Sequence, residues 1–517
     1  MITFDRFTNY GRTGNILFQL CSMIGIAKST GHELVLPHWE DSKYFTGEFP
    51  HGELSGELEQ IQEPTFTHLP VTLEPDKNYN FLGYYQSEKY WLNYKGAILQ
   101  LLTFREDFIY QVKEPFKEAF TKPTIAISIR RGDYVDNKNY ELLPIHYYIS
   151  ALEQFDWRNS NLIIFSDDIP YCKAHFDCLQ NVYFSENNSA IEDLCLMHLC
   201  DNFIVANSTF SWWGAYLSRS KNKRVIRPVE YFKGSMKEAN PITDFYPTDW
   251  IEWNWRDANG QLKRISLNDC TFTIPVQYDH HDRRKNLDLC ICMLQHHFDT
   301  KIIVMENRTR EFGYMSQHCQ YLTSDHEHFH RTRMLNDMAL RAGTPIISNW
   351  DADIVLAPLQ ILETVRKIRE GAAMVFPYDG RFARIPRLTW FRHLEQRMDI
   401  GIVGTTRFNG MNSNDAVSVG GAVFFDKAAF IAGGMENEKF ISFGPADVER
   451  HIRFKTLGFK IERVPGPLYH INHYIGPDSS NRHIHVQTNR AEYYKIDAMT
   501  RPELEAYVKT WPWVRLT

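Results

Sequence analysis

Short apolar runs rich in β-branched residues alternate with longer helical patterns along most of the chain. In the first half, four such runs are TIAISIRR (124–131), NLIIFSDD (161–168), NFIVANS (202–208) and KRVIRP (223–228). Amphipathic segments separate them, and strands that alternate with helices favour a largely parallel sheet because each parallel connection needs a crossover segment. The pattern therefore predicts an α/β fold.

The alternation lapses between residues 231 and 270, where aromatic, proline and acidic residues dominate, and it restarts at CTFTIPV, 270–276. In the second half KIIVMEN, TPIISNWDAD, GAAMVFPY and SVGGAVFF repeat the strand pattern. A chain of 517 residues with 43% hydrophobic residues can fill two cores. We expect two domains, residues 1–267 and 268–517.

Charge and hydropathy exclude several classes of protein. A net charge of −6 without clusters of Lys and Arg argues against nucleic-acid binding. No apolar run approaches the roughly 20 residues that cross a bilayer, and the N-terminal segment lacks the features of a signal peptide. The nine cysteines are scattered, which indicates reduced packing thiols. We expect a cytoplasmic protein with no integral membrane segment.

Polar and charged residues follow the strands of the first half, at the edge where open α/β sheets bind ligands. They are Arg130, Arg131 and Asp133 after the first run, Asp167 and Asp168 after the second, and Asn207, Ser208, Thr209 and Ser211 after the third. Adjacent arginines suit a diphosphate because guanidinium forks bind its oxygens in pairs. The turn GRTGN, with Gly14 and Asn15 before an apolar helix, offers backbone N–H donors for an anion.

Four motifs of the first half occur together in one order: GRTGNILFQ (11–19), SIRRGDYV (128–135), FSDDI (165–169) and NSTFSWWGAYL (207–217). In this order they resemble the alpha-1,2-fucosyltransferase family, over about residues 1–255. The resemblance implies a GT-B arrangement of two Rossmann-like lobes that uses GDP-fucose, inverts the anomeric carbon and needs no metal.

The same resemblance implies roles for individual residues. Arg130 and Arg131 would bind the diphosphate, and the double tryptophan 212–213 would belong to the nucleotide-sugar site. Ser128 stands where the family usually has His. Asp133 is either catalytic or a structural partner of the arginines. The expected donor-binding residues are Gly14, Asn15, Arg130, Arg131, Asp167, Asn207, Ser208, Thr209 and Ser211.

The second half contains SNWDADIVLAP at 348–358, which places Asp351 and Asp353 at the end of a predicted strand. Carboxylates at this spacing can bind Mg²⁺ or Mn²⁺, which also grips a diphosphate. Further motifs are FHRTRMLND (329–337), GGAVFF (420–425), FGPADVERHIRF (443–454) and PLYHINH (467–473). Together, over about residues 271–480, they resemble GT-A glycosyltransferases, in particular the beta-galactosyltransferases.

This second resemblance implies a single Rossmann-like nucleotide-sugar domain that binds Mn²⁺ or Mg²⁺. Asp353 would be the main metal ligand, with His470 or His473 completing the shell. Asp447 falls where the family's catalytic base stands, and a carboxylate can take the acceptor's proton in an inverting displacement. The expected donor-binding residues are Pro275, Arg284 (or Arg283), Phe329, Arg331 and Asp351.

The two halves together predict a bifunctional glycosyltransferase acting on an oligosaccharide or glycoconjugate acceptor. The C-terminal domain would add galactose from UDP-galactose, and the N-terminal domain would then add fucose from GDP-fucose, alpha-1,2 to that galactose. Two alternatives stay open. The C-terminal domain could use UDP-GalNAc or UDP-glucose, or one half could be a glycan-binding module without catalysis.

Overall fold

The computed structural model describes residues 1–52, 56–385, 391, 394–401, 418–474, 476 and 482–516. The chain separates into two compact units. The N-terminal unit consists of Met1–Cys172 and Asn181–Gln261, and the C-terminal unit consists of Lys173–Gln180 and Leu262–Thr517. Within the described part of the chain, every helix is too short or too polar to cross a membrane.

The N-terminal unit is built from nine strands and eight α-helices among its described residues. The strands are β1 (Ile2–Thr3), β2 (Glu59–Gln62), β3 (Tyr79–Leu82), β4 (Thr124–Ile129), β5 (Asn161–Ser166), β6 (Val182–Phe184), β7 (Asn202–Ile204), β8 (Val225–Pro228) and β9 (Ile251–Trp253). The helices are α1 (Thr13–Thr30), α2 (Lys95–Leu101), α3 (Glu106–Lys113), α4 (Ile145–Leu152), α5 (Ile169–Phe176), α6 (Ala190–His198), α7 (Thr209–Leu217) and α8 (Gly234–Ala239).

These strands form two parallel sheets, with the orders β1-β3-β2 and β6-β5-β4-β7-β8-β9. The four apolar runs of the first half all become strands of the larger sheet, which confirms the predicted α/β class. Every residue of β4 is buried, as expected for a central parallel strand covered on both faces. Each strand ends before the polar residues that follow its apolar run, because those residues form the connecting loops.

The double tryptophan lies in the core of the N-terminal unit, which corrects its expected place in the nucleotide-sugar site. Both rings are fully buried on α7. Trp212 donates its indole N–H to the carbonyl of Phe245 at 2.9 Å, and Trp213 stacks on Trp91 with ring centroids 5.7 Å apart. Gly214 permits close helix packing, since a Cβ there would lie 2.1 Å from the sulfur of Met197. The pair packs behind the first turn of α7 and supports it.

The C-terminal unit repeats the α/β alternation with a mixed sheet. Its described strands are β10 (Ile265–Val276), β11 (Phe298–Asn307), β12 (Gln320–Ser324), β13 (Ile346–Trp350), β14 (Ile354–Val355), β15 (Met374–Phe376), β16 (Phe382–Ile385), β17 (Ala422–Asp426), β18 (Ile461–Arg463) and β19 (Leu468–Ile471). Its described helices, apart from the residues of α5, are α9 (His281–His297), α10 (Arg331–Arg341), α11 (Pro358–Arg369), α12 (Lys427–Ala432), α13 (Ala446–Thr456), α14 (Val486–Asp497) and α15 (Arg501–Val508).

Seven strands form one sheet in the order β12-β11-β10-β13-β17-β15-β18, in which β17 runs antiparallel to both neighbours. A second sheet has the order β14-β19-β16. The acidic stretch 351–353 follows β13 of the first sheet and precedes β14 of the second sheet in sequence. It therefore joins the end of a central strand to a strand that pairs with β19.

Candidate active sites

A cavity of about 550 Å³ opens in the N-terminal unit at the edge where β4, β5 and β7 end. Its wall contains seven of the residues expected to bind the donor or to act in catalysis. They are Gly14, Asn15, Arg130, Asp133, Asp167, Ser208 and Thr209. The cavity thus brings together residues that are nearly 200 positions apart in sequence.

Two helix N-termini meet at this cavity. Gly14, in the first turn of α1, approaches the first turn of α7 so closely that a Cβ would lie 2.6 Å from the backbone nitrogen of Phe210. The Asn15 side-chain oxygen accepts hydrogen bonds from Thr209 Oγ1 at 3.0 Å and from Gln86 Nε2 at 2.9 Å. Ser208 caps α7 by accepting the N–H of Phe210. Paired helix N-termini favour a bound anion because their free N–H groups and dipoles point at it.

Arg130 supplies a cation to the same wall. One of its guanidinium nitrogens lies 2.5 Å from Asp167 Oδ2, and another donates to Asp133. Asp133 also contacts Arg12 at 3.7 Å and is 55% exposed. The structure therefore shows Asp133 as an ion-pair partner of two arginines. Its exposure keeps it accessible to a bound molecule.

Arg131 lies outside the cavity wall, although the sequence places it beside Arg130. Its side chain is buried, with the guanidinium carbon 3.5 Å from the centre of the Tyr171 ring and Nε 3.3 Å from Asp168 Oδ2. Its backbone N–H donates to Asp167 Oδ1 at 2.9 Å. In this arrangement Arg131 shapes the loop that presents Arg130.

Asn207 and Ser211 are also buried behind the wall. The Asn207 amide donates to the carbonyls of Glu141 and Tyr231, both at 2.8 Å. The Ser211 hydroxyl donates to the carbonyls of Ala206 and Ser208 at 3.2 and 3.1 Å. In this structure both residues fix the turn between β7 and α7, and they do not line the cavity.

The cavity also has walls that the sequence did not single out. Phe66, Tyr84, Phe210 and Phe232 give it aromatic surface that can stack on a base or sugar. Asp193, on α6, lines it too, and burial raises the pKa of this carboxyl to about 6 although Ser185 donates a hydrogen bond to it. Phe210 stands within the motif at 207–217, whereas Phe66, Tyr84, Phe232 and Asp193 lie in none of the four motifs.

In the C-terminal unit, Asp353 and two histidines form a candidate metal site. Asp353 is buried, with Oδ2 2.9 Å from His473 Nε2 and Oδ1 3.5 Å from His470 Nε2. The pairing of β14 with β19 produces this proximity, because it sets Ile354 opposite His470. Burial opposes ionisation of Asp353, but the histidines and Arg283 outweigh it and lower its pKa.

The three side chains fit a divalent transition metal. One oxygen and two nitrogens, one ligand atom from each residue, all lie within 4.8 Å of one another. A carboxylate with two imidazoles suits Mn²⁺ better than Mg²⁺, which prefers oxygen ligands and water. The three residues expected to bind metal therefore do come together.

Arg331 links the two other acidic residues of this site. Its Nε and one terminal nitrogen donate to Asp351 Oδ1 at 3.1 and 2.9 Å, and its other terminal nitrogen donates to Asp447 Oδ1 at 3.1 Å. Asp351 follows β13, whereas Asp447 lies in the first turn of α13. Asp447 also contacts the buried Arg450 at 2.9 Å, a partner that the sequence interpretation missed.

The remaining donor-binding expectations separate into three cases. Arg283 contacts Asp353 at 2.9 Å, whereas Arg284 is exposed over the ring of Tyr314, and the nucleotide contact expected of either arginine stays a prediction. Pro275 is buried within β10. Phe329 accepts the N–H of Ser442 on its carbonyl at 3.1 Å, just before α10.

Part of the chain matches a known enzyme family. Residues 54–254 match the family model of glycosyl transferase family 11. Two curated Escherichia coli proteins are similar to the chain. An alpha-1,2-colitosyltransferase is 34% identical over 33% of this chain and 61% of its own length, and the O-antigen biosynthesis glycosyltransferase WbnK is 32% identical over 32% and 59%. The chain thus spans about three fifths of the length of these relatives.

Solved structures resemble the chain only distantly. A Drosophila beta-1,4-galactosyltransferase 7 variant in complex with manganese, UDP-Gal and xylobiose is 11% identical, covers 38% of this chain and 65% of its own, and gives a TM-score of 0.25. The NodZ alpha-1,6-fucosyltransferase soaked with GDP-fucose is 14% identical, covers 42% and 91%, and gives a TM-score of 0.30. At these TM-scores the likeness does not define the fold of either unit.

Proposed function

We propose that the chain is a bifunctional glycosyltransferase, with a GT-B fucosyltransferase at residues 1–267 and a GT-A galactosyltransferase at residues 268–517. The observation that carries the proposal is the meeting of two helix N-termini and Arg130 around one cavity of about 550 Å³. The family match of residues 54–254 and the name of the colitosyltransferase support an alpha-1,2 transfer from a nucleotide sugar.

In the N-terminal unit, the backbone N–H groups around Gly14 and Thr209 and the guanidinium of Arg130 bind the diphosphate of GDP-fucose. These fixed donors stabilise the charge that develops as GDP leaves. When Arg130 binds the diphosphate, its pairing with Asp133 weakens. The exposed Asp133 carboxylate can then take the proton of the acceptor hydroxyl that attacks the anomeric carbon.

In the C-terminal unit, Asp353, His470 and His473 hold Mn²⁺, which when bound neutralises the diphosphate of the UDP-sugar. Arg331 contacts Asp351 and Asp447 and orients both towards the donor. Asp447 removes the proton of the acceptor hydroxyl, whose oxygen attacks the anomeric carbon as the bond to UDP breaks. The configuration at that carbon is inverted.

The two activities are proposed to act in sequence. The C-terminal unit adds galactose from UDP-galactose to an oligosaccharide or glycoconjugate, and the N-terminal unit adds fucose to that galactose. If the N-terminal unit uses the starting acceptor and ignores galactose-ended products, this order is wrong. UDP-GalNAc or UDP-glucose as the second donor, and a non-catalytic glycan-binding half, are the alternatives.

A donor panel tests the proposal. Purified protein is incubated with each common UDP- and GDP-sugar and with the colitosyl donor, with Mn²⁺ or with EDTA, and released nucleotide and product are measured. We expect GDP-fucose turnover in both conditions and UDP-galactose turnover only with Mn²⁺. Turnover of another UDP-sugar would select the alternative donor. If no UDP-sugar, or no GDP-sugar, is turned over with any acceptor, the unit assigned to that nucleotide is a glycan-binding module.

A further inference from the structure

The two oxygens of the Asp447 carboxylate have different surroundings. Arg331 and Arg450 both make their closest contact with Oδ1, at 3.1 and 2.9 Å. Oδ2 instead faces Gly420, where a Cβ would lie only 3.0 Å away. A carboxylate oxygen held by two guanidinium groups is a poor proton acceptor, because protonation there would disrupt both contacts.

Arg450 is itself held rigidly. It is fully buried and contacts Glu436 Oε1 at 2.8 Å, while a terminal nitrogen also donates to the carbonyl of Val419 at 3.2 Å. Glu436 is equally buried and accepts from the Asn349 amide at 2.6 Å. A buried cation needs such a partner, since an unpaired charge in the interior is strongly destabilising.

Gly420 is also held in place, by a hydrogen bond to its backbone. Its carbonyl accepts the hydroxyl of Tyr378 at 2.6 Å. The glycine is close to Asp351 in the structure, because the Asp351 N–H donates to the carbonyl of the next residue, Gly421, at 2.9 Å. A side chain at Gly420 would therefore crowd Oδ2 of Asp447.

We propose that Arg450, which Glu436 holds in place, is a positioning residue. Together with Arg331 it occupies Oδ1 of Asp447, so that Oδ2 is left to take the acceptor's proton. Gly420, which has no side chain, keeps the acceptor's path to Oδ2 open. This inference rests on the function proposed for the C-terminal unit. In the step, the acceptor O–H bond breaks and its proton moves to Oδ2. The acceptor oxygen bonds to the anomeric carbon, and UDP leaves with the electron pair of the broken bond.

The contacts also affect the ionisation of Asp447. Burial opposes the charged form, but Arg331 and Arg450 outweigh burial and hold the pKa of Asp447 below its ordinary value. Loss of the Arg450 contact should therefore move the acidic limb of the kcat profile to higher pH. A purely structural role of Arg450 would change stability without moving that limb.

The first test compares Arg450→Lys with Arg453→Lys in the full-length protein. Arg453 lies one turn further along α13 and forms its own buried pair with Glu449 at 2.7 Å, so it controls for the loss of a buried guanidinium fork. We expect Arg450→Lys to lower kcat about 100-fold with little change in either KM, because small misplacement of a reacting group costs about this much. Arg453→Lys should keep the wild-type kcat and pH profile.

The second test compares Gly420→Ala with Gly343→Ala. An added Cβ at Gly343 meets no atom within 4 Å, which makes this variant the control for a glycine substitution. We expect Gly420→Ala to lower transfer to the sugar acceptor about 10-fold or more while transfer to water persists, since a water molecule can still reach Oδ2. Equal loss of both reactions, or no loss, would overturn the role of Gly420.

An NMR titration, which needs no enzyme turnover, tests the positioning role of Arg450 separately from the proposed function. The carboxyl carbons of ¹³C-labelled aspartate are titrated by NMR, and Asp447→Asn assigns the signal of Asp447. Arg450→Lys should raise the pKa of Asp447 relative to wild type, and Arg453→Lys should not. An inactive wild type would refute the proposed function alone, whereas an unchanged Asp447 titration in Arg450→Lys would overturn the positioning role.

Discussion

The two candidate sites differ in the groups that could stabilise the negative charge of a diphosphate. Around the N-terminal cavity, the first turns of two helices and Arg130 line the space where an anion can bind. In the C-terminal unit, carboxylates and imidazoles gather at Asp353, and Arg331 joins Asp351 to Asp447. We expect the first set to bind an anion directly and the second set to do so only with a bound cation.

We expect this difference to set whether each site needs a metal ion. A site built from helix N-termini and a guanidinium has its anion-binding groups in place when the chain folds, although Arg130 is paired with Asp133 and Asp167 in this structure. In the C-terminal unit, Arg283 and Arg331 already pair with Asp353, Asp351 and Asp447, so a diphosphate there would be bound through an added divalent cation. Substitutions in one site should therefore leave the other site unaffected.

The largest effect is expected for Asp353→Ala. The variant removes the carboxylate of Asp353, which contacts both histidines of the candidate metal site. We expect UDP-sugar turnover to fall by roughly 10³-fold or more, because a metal that stabilises a leaving diphosphate contributes several kcal/mol. GDP-fucose turnover should stay at the wild-type rate, and nucleotide release with both donors measures the two effects in one preparation.

Asp325→Ala is the matched control for this change. Asp325 is 75% exposed and pairs with Arg310 in the same unit, so its loss removes one carboxylate without touching the site. If both variants reduced UDP-sugar turnover equally, the metal assignment would be wrong. Manganese binding measured by calorimetry should likewise be lost in Asp353→Ala and retained in the control.

The reciprocal prediction concerns Arg130→Ala. Arg130 is the arginine of the RRGD motif that lines the N-terminal cavity. We expect GDP-fucose turnover to fall about 10²- to 10³-fold, as for loss of one fixed donor at a developing negative charge. UDP-sugar turnover should not change. Arg158→Ala, which removes an exposed arginine from the same unit, controls for charge, and a similar loss in that variant would argue against the role of Arg130.

Much of the fold and part of each site could be predicted from sequence. Strand runs and their polar ends located the larger sheet and the cavity, because the carboxyl ends of parallel strands share one edge. The sequence could not separate Arg130 from Arg131. The Arg130 side chain points towards the cavity and the Arg131 side chain towards Tyr171. These directions depend on the loop that Asp167 fixes.

The buried supports were harder to predict. Asn207, Ser211 and the double tryptophan belong to a motif of the cavity, yet they pack behind it, since a tight turn must satisfy its own polar groups first. Glu436 and Arg450 were missed because a buried ion pair has no sequence signature of its own. Only the fold brings Glu436 within contact of a residue on α13.

A smaller effect is expected for Gly14→Ala. The new Cβ would lie 2.6 Å from backbone atoms at the start of α7, so the two helices must move apart. Overpacking of this kind costs about 1–3 kcal/mol. We expect a lower melting temperature for the N-terminal unit and a higher KM for GDP-fucose, with UDP-sugar KM unchanged. Gly96→Ala, at a helical site where a Cβ meets nothing within 4 Å, should leave the KM for GDP-fucose at the wild-type value and should not lower the melting temperature, since Ala favours a helix more than Gly does.

The smallest effect concerns pH, and it has opposite signs in the two units. Burial raises the pKa of Glu63 to about 7, although the N–H groups of Tyr84 and Tyr85 donate to its carboxylate at 2.6 and 2.9 Å. The folded N-terminal unit therefore binds more protons than the unfolded chain between the ordinary value of 4.5 and about 7. Its stability falls as pH rises through that window.

Glu63→Gln isolates this contribution, because the amide oxygen can still accept a backbone N–H but does not ionise. Relative to the variant, the wild-type N-terminal unit should lose stability on the order of 1 kcal/mol between pH 5 and pH 8, with the loss complete above the folded pKa. Asp447 has the opposite sign: its lowered pKa stabilises the C-terminal unit above the ordinary carboxyl range, and this stabilisation is lost on acidification. Hydrogen exchange at both pH values resolves the two units separately. A pH-independent difference between wild type and Glu63→Gln would show that Glu63 stays charged in the folded protein, and the contrast between the two units would then lie in their ligands alone.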